Sequence, residues 1–214
     1  GARMSSAAPR GSGRSRRARG ENGAVLVEVV LILPILMLIS LAVFDLGLGW
    51  KASMTVTNAA RAGARVASNL GVSATADKSA LASVAASLGT VPVSEIDVIV
   101  IYRATTADGD VPAACLTGST RATGGSSTSQ CNVYTGAEAF AASTSTTFTG
   151  NCGSSRDRFW CPSTRGNSQA ATAGPDYLGV YVRINHTTKT KAFGSTMVVK
   201  DRAVMRIEPN AGNP

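Results

Sequence analysis

The sequence predicts an α+β protein: a long N-terminal transmembrane helix that continues into a small outer domain. That domain should hold a second helix, an antiparallel sheet of about three strands and a disulfide-stapled irregular insertion. Three observations predict it. The apolar run 24–50 is long enough to cross a bilayer. Three β-rich runs, 96–102, 178–184 and 195–207, follow it. Between the first two lies a Ser-, Thr- and Gly-rich stretch that holds all four cysteines.

The chain has 214 residues, of which 44% are hydrophobic but only 5% aromatic and 16% charged. Small side chains dominate, which argues against a large enzyme with a dense aromatic core. With the apolar run set aside, the remainder can bury only a modest core. The order along the chain is a basic leader (1–23), the membrane helix (24–50), helices and a first strand (51–103), the cysteine-bearing stretch (104–176), the C-terminal strands (177–208) and a tail (209–214). Met4 is a candidate natural start, with Gly1 to Arg3 upstream of it.

Charge is concentrated in the leader. Arg3, Arg10, Arg14, Arg16, Arg17 and Arg19 stand against Glu21 alone, a net +5 of the chain's +8. A nucleic-acid-binding domain would cluster its bases on a folded surface with aromatics or a recognisable motif. Neither is present in the sequence, so no nucleic-acid partner is expected.

Ala24 to Trp50 reads AVLVEVVLILPILMLISLAVFDLGLGW. At about 1.5 Å per residue this run spans roughly 40 Å as a helix, against a bilayer core of about 30 Å. Trp50 and Lys51 stand where an interfacial aromatic and a snorkelling base belong. The arginines precede the run, so the positive-inside rule places the N-terminus in the cytoplasm and the residues after Lys51 outside. Pro34 removes one bond, to the Val30 carbonyl, and should bend the helix.

Three readings of this run compete: a cleaved signal peptide, a plain anchor, and a prepilin-type leader cut before the apolar run. A signal peptide's apolar region is shorter, about 7–15 residues. Glu28 separates the other two. A carboxylate one turn into an apolar helix costs about 2.5–3.5 kcal/mol on insertion scales. A plain anchor has no use for it, unless it stays hydrated near the interface. Cleavage between Gly23 and Ala24 would make Glu28 the fifth residue of the mature chain. The new ammonium of one subunit could then pair with the carboxylate of a neighbour and set register.

Gly23, Glu28 and the long apolar run resemble type IV prepilin-like leaders. More narrowly, residues 22–69 resemble the TadE-like family of the tight-adherence pilus system. The features that carry this are Glu28, the Leu33-Pro34 pair, Asp45 to Gly47, and Asn58-Ala59-Ala60-Arg61-Ala62-Gly63-Ala64-Arg65. The run from Arg202 to Pro209 is similar to the family's usual ending, more weakly. Val29 departs from the pattern, since prepilins of this system often carry an aromatic there. The resemblance implies a bitopic, non-catalytic membrane protein that acts as a minor pilin or pseudopilin. It also implies partners: other pilin or pseudopilin subunits, a prepilin peptidase, the assembly platform and the lipid bilayer.

Beyond Lys51 the pattern stays helical to about Asn69, with Gly71 as the stop. Ala59, Gly63 and Ala67 form a small-residue stripe, either a subunit-packing face or part of an ordinary Ala-rich helix. A second helix is expected over about 75–88, with Leu81, Val84, Ala85 and Leu88 on one face. The strand IDVIVIY follows at 96–102. The last strand, 195–207, is expected to bulge or split at Lys200-Asp201, and 185–194 reads as a polar connector.

Cys115, Cys131, Cys152 and Cys161 suggest two disulfides in an exported, loop-rich stretch. Three connectivities are possible, and the sequential pairing is favoured. Zinc prefers C-x₂₋₄-C pairs, which the spacings of 16, 21 and 9 do not provide. No metal and no cofactor are expected.

No catalytic constellation is legible. His186, the one histidine, is read as a solvated connector residue without a G-x-S-x-G element anywhere. Asp97, Asp108, Asp110, Glu138, Asp157, Asp176, Asp201 and Glu208 show no spacing that prefers an acid–base pair. Asn185-His186-Thr187 is a formal N-x-S/T sequon, which would mean little if the source were bacterial. The rival to an assembly protein is a permanently anchored surface-binding domain whose leader stays uncut. Asp45 would either pair with a neighbouring base or sit at the outer interface.

Overall fold

A 53-residue helix, α1 (Ala18–Leu70), dominates the computed structural model. The structure describes residues 18–149, 152–169, 174–190 and 194–209, with side chains from residue 23 onward. The leader arginines Arg3 to Arg17 and the tail beyond Pro209 therefore lie outside the described residues.

The helix has two halves with opposite surroundings. Residues 23–44 stand clear of the rest, and every large hydrophobic among them is exposed. From Asp45 onward one stripe is buried: Ala52, Val56, Ala59, Ala60, Ala64 and Ala67. Their spacing of three and four residues keeps one face of the helix on the domain. The stop is where the pattern puts it. Gly71 takes φ +49°, a left-handed conformation that costs glycine little, and its N–H bonds the Ala67 carbonyl at 2.9 Å.

Helix α2 (Ala76–Ser87) packs against this stripe with Ala80, Leu81, Val84 and Ala85, and Leu88 follows just beyond its end. A third layer is a five-stranded antiparallel sheet. Its strands are β1 (Ile96–Ala104), β2 (Gly125–Ser126), β3 (Cys131–Tyr134), β4 (Tyr177–Thr187) and β5 (Thr196–Arg206), in the order β2-β3-β1-β4-β5. One face meets the helices through Ile99, Ile101, Val180, Val182 and Ile184. The other buries Val98, Val100, Tyr102, Val133 and Tyr181 with the Cys115 and Cys131 sulfurs. A register shift between Ile96 and Val98 explains how both residues point inward on opposite faces.

Several expectations are corrected here. The sheet has five strands, not three. The stretch 104–176 is not simply irregular: it contains β2, β3, α3 (Gly118–Thr123) and α4 (Gly136–Ala141). Helix α3 is capped by the Thr117 hydroxyl, and α4 begins with a capping box in which Thr135 and Glu138 bond each other's backbone N–H. The cysteines join sequentially, Cys115 to Cys131 and Cys152 to Cys161.

There is no break at Lys200-Asp201. The β4–β5 ladder runs from Tyr177 paired with Arg206 to Thr187 paired with Thr196 without a shift. Asp201 tolerates its place on the helix-facing side because the Thr57 hydroxyl of α1 donates to it. His186 is not on a connector either. It lies in β4, and the Glu95 carboxylate, which accepts from Thr187 N–H and faces His186 Nδ1 at 3.2 Å, holds that strand end.

The Ala59–Gly63–Ala67 stripe packs within the chain. A Cβ on Gly63 would lie 2.5 Å from Val84 Cγ2 and 3.3 Å from Val180 Cγ1. Helix and sheet can approach α1 this closely only because position 63 carries no side chain. Gly63→Val is therefore expected to lower the unfolding free energy by about 1–3 kcal/mol through overpacking, despite removing a helix-interior glycine. Thermal melting of the two proteins in the same detergent checks this, and an unchanged midpoint would contradict the close approach.

Candidate anchoring and assembly site

The exposed half of α1 is the feature whose chemistry asks for a partner. Val25 to Phe44 presents sixteen large hydrophobics that the domain does not cover, among them Leu31 at 67% exposure. At about 1.5 Å per residue, residues 23–44 measure roughly 33 Å, which matches the hydrocarbon thickness of a bilayer. Pro34 lies inside this length, and the helix runs through it uninterrupted. Ser40, the one hydroxyl in the run, donates to the Leu36 carbonyl at 2.8 Å and so hides its polarity in the helix backbone.

Gly23 and Ala24 lie on the exposed part of the helix, and a Cβ at Gly23 would meet nothing within 4 Å. Five residues on, Glu28 is exposed on a side walled by Val25, Val29 and Ile32. No ion pair or hydrogen bond engages its carboxylate among the described residues. The structure thus leaves Glu28 as the sequence presents it, a carboxylate on an apolar surface.

Asp45 is 3% exposed, and its carboxylate is taken up by the domain and not by a basic side chain. The N–H groups of Lys189 and Thr190 donate to its carboxylate at 3.2–3.3 Å, and the Thr190 hydroxyl donates to it as well. These residues belong to the connection between β4 and β5, so one carboxylate fastens the domain to the membrane helix at the level where the helix leaves it. Trp50, one turn later, is 72% exposed on the side away from the domain.

Residues 23–65 match the family model described as TadE-like protein. The TadE-like segment thus covers the exposed half of α1 together with most of the half that packs on the sheet. No curated protein and no solved structure gives a match. A TadE-like segment on an apolar N-terminal helix fits a pilus-associated membrane protein with a single-pass anchor. Everything from Val66 on lies outside the matched residues.

A second polar centre, away from the anchor, is absent from the sequence reading, whose carboxylates omit both Asp77 and Glu95. Asp77 opens α2 and is fully buried. Arg165 Nη2 reaches its Oδ1 at 2.6 Å, and Asn132 Nδ2 and the Tyr134 hydroxyl each donate to Oδ2 at 2.9 Å. Asn132 Nδ2 and Arg165 Nη2 also donate to the Trp160 carbonyl, and the guanidinium lies 4.2 Å over the Trp160 ring. Burial, with the Asp77 charge behind it, pushes the Tyr134 hydroxyl well above its ordinary value. Burial likewise pushes up the carboxyl of Asp157, whose oxygens lack a well-formed hydrogen bond. By contrast, burial raises Asp97 less than its hydrogen bonds from Arg121 and Arg183 lower it, so its carboxyl stays below the usual range.

Among the described residues no cluster of three or more His, Cys, Asp or Glu side chains could hold a metal ion. Asp77, Arg165 and their neighbours are bonded to one another, an arrangement that ties α2 to β3 and to the segment after Cys152.

Asp45→Ala is expected to release the β4–β5 connection without unfolding the sheet. Bonds to a charged acceptor contribute about 1.5–3 kcal/mol, so the Lys189 and Thr190 amides should exchange with solvent about tenfold faster or more. Hydrogen exchange resolved by residue measures it, and unchanged rates at both amides would show that Asp45 holds nothing.

Proposed function

We propose that the protein is a minor pilin or pseudopilin of a tight-adherence-type pilus system, with a structural and not a catalytic role. The observation that carries this reading is the division of α1 at Asp45. One half is an uncovered apolar rod on which Glu28 has no partner among the described residues, and the other half is fused into a folded domain. A rod of this kind can rest in a bilayer and can later exchange lipid contacts for contacts with like helices, since both surroundings are apolar. The match over residues 23–65 supports the same reading.

In this reading the leader is cytoplasmic and the disulfide-bonded domain lies outside, where cystines persist. A prepilin peptidase cuts between Gly23 and Ala24. The Ala24 ammonium of one subunit then neutralises Glu28 of a neighbouring pilin or pseudopilin within the membrane, on the assembly platform. Oppositely charged groups in an apolar medium specify register more than they add stability.

N-terminal sequencing of the protein extracted from its native membrane tests the proposal. The mature chain is expected to begin at Ala24. A chain that retains its arginine-rich leader would instead leave a permanently anchored surface domain.

A further inference from the structure

We propose that the protein carries a binding site for the phosphate of an anionic phospholipid headgroup, at the junction of membrane helix and domain. The inference rests on the membrane anchor alone and not on entry into a filament. A cavity of about 230 Å³ opens beside α1 where the helix leaves the bilayer. Leu48 and Lys51 of α1 form one wall, and Val91, Pro92, His186 and Lys189 form the others.

Three features suit this cavity to that occupant. The first is charge: among the described residues neither Lys51 nor Lys189 has an ion-pair partner, and both face the same space. The one carboxylate in the wall, Glu95, is already engaged by Thr187 N–H and His186 Nδ1. A burial penalty on Glu95 is outweighed by those contacts, which hold its carboxyl below the usual range and its charge tied to them.

The second feature is His186. Its ring lines the cavity with Nδ1 fixed toward Glu95 while Nε2 is buried out of reach of a ligand, so His186 gives the cavity a fixed wall that carries no competing anion. The third feature is height. Leu48 lies within the apolar run and Lys51 just past its end, so the cavity straddles the level of the headgroups in the leaflet facing the domain. Its apolar wall can meet glycerol and acyl carbons while the lysines meet phosphate. Lysine recognises phosphate as a point charge, with no demand for a fixed bidentate geometry. A free phosphate ion would offer the same charge but would leave Leu48, Val91 and Pro92 facing water.

The test uses the full chain in nanodiscs of mixed phosphatidylglycerol and phosphatidylcholine, with retained lipids counted by native mass spectrometry. The unaltered protein is expected to retain one phosphatidylglycerol more than the double variant Lys51→Gln/Lys189→Gln. The preference over phosphatidylcholine should fall about thirtyfold in that variant, given the attraction of each base near a membrane surface. Lys200→Gln, which removes an exposed charge on β5, should leave both readings unchanged. Equal retention by the unaltered and double-variant proteins, or an equal loss in Lys200→Gln, would overturn the site. Displacement of the lipid by excess inorganic phosphate would overturn the assignment to a headgroup.

Discussion

Asp77→Ala is expected to remove about 3–5 kcal/mol of folding stability, because it strands a buried guanidinium. Arg165 is 0% exposed along its side chain, and its Nε and Nη1 already lack hydrogen-bond partners. Asp77 is the charge that makes its burial tolerable. The same substitution leaves Asn132 and the Tyr134 hydroxyl each one acceptor short in a dry environment, where every unmet polar group costs about 1–3 kcal/mol. By comparison, the pair between Arg202 and Asp110, with the carboxylate side chain 78% exposed, should contribute only about 0–1 kcal/mol.

Equilibrium unfolding in urea, followed by near-ultraviolet circular dichroism in one detergent, measures the loss. The double substitution Asp77→Leu with Arg165→Met should cost clearly less than Asp77→Ala alone, since apolar groups of similar volume often replace a buried ion pair at small cost. A double variant as unstable as the single would mean that the cluster matters by shape and not by charge.

This cluster also marks where the sequence stops being informative. The long helix was legible because its signal is local: an apolar run with Glu28 near its start, then small residues at a spacing of three and four. Strands β1, β4 and β5 were legible because Ile, Val and Tyr alternate or run together in them. The cysteine pairing was legible because sequential neighbours in a loop-rich stretch are close along the chain. Strands β2 and β3 were not, since Gly125-Ser126 and Cys131-Asn132-Val133-Tyr134 are two and four residues long amid Ser, Thr and Gly. Their pairing is fixed by β1 alongside and by the disulfide between Cys115 and Cys131.

The capping box from Thr135 to Glu138 was a signal available in the sequence that would have placed α4. Asp77 and Arg165 had no such signal. They lie 88 positions apart, and only the completed fold brings an acid at a helix start onto an arginine beyond a disulfide. Asp45 is similar: its partners are backbone N–H groups 144 and 145 residues away, which no residue type announces. A charge on an apolar helix reads as a puzzle in sequence, and the structure resolves it for Asp45 while leaving Glu28 unmatched.

That contrast sets up the second large effect. Glu28→Ala is expected to insert into the membrane as well as the unaltered chain or better, since it removes an insertion cost of about 2.5–3.5 kcal/mol. Assembly should nevertheless fall by at least about tenfold, because removing one member of a buried ion pair costs about 3–5 kcal/mol and each ~1.4 kcal/mol is tenfold. The two effects have opposite signs on the same residue, so one experiment separates a hydrated interface carboxylate from a register-setting one. The measurement is the share of the protein recovered with sheared filaments relative to the share left in the membrane. Glu28→Gln keeps the shape and a hydrogen-bonding group but not the charge, and should resemble Glu28→Ala. If either neutral variant assembled normally, Glu28 would be only a tolerated surface charge, and the exposed half of α1 would need no partner beyond lipid.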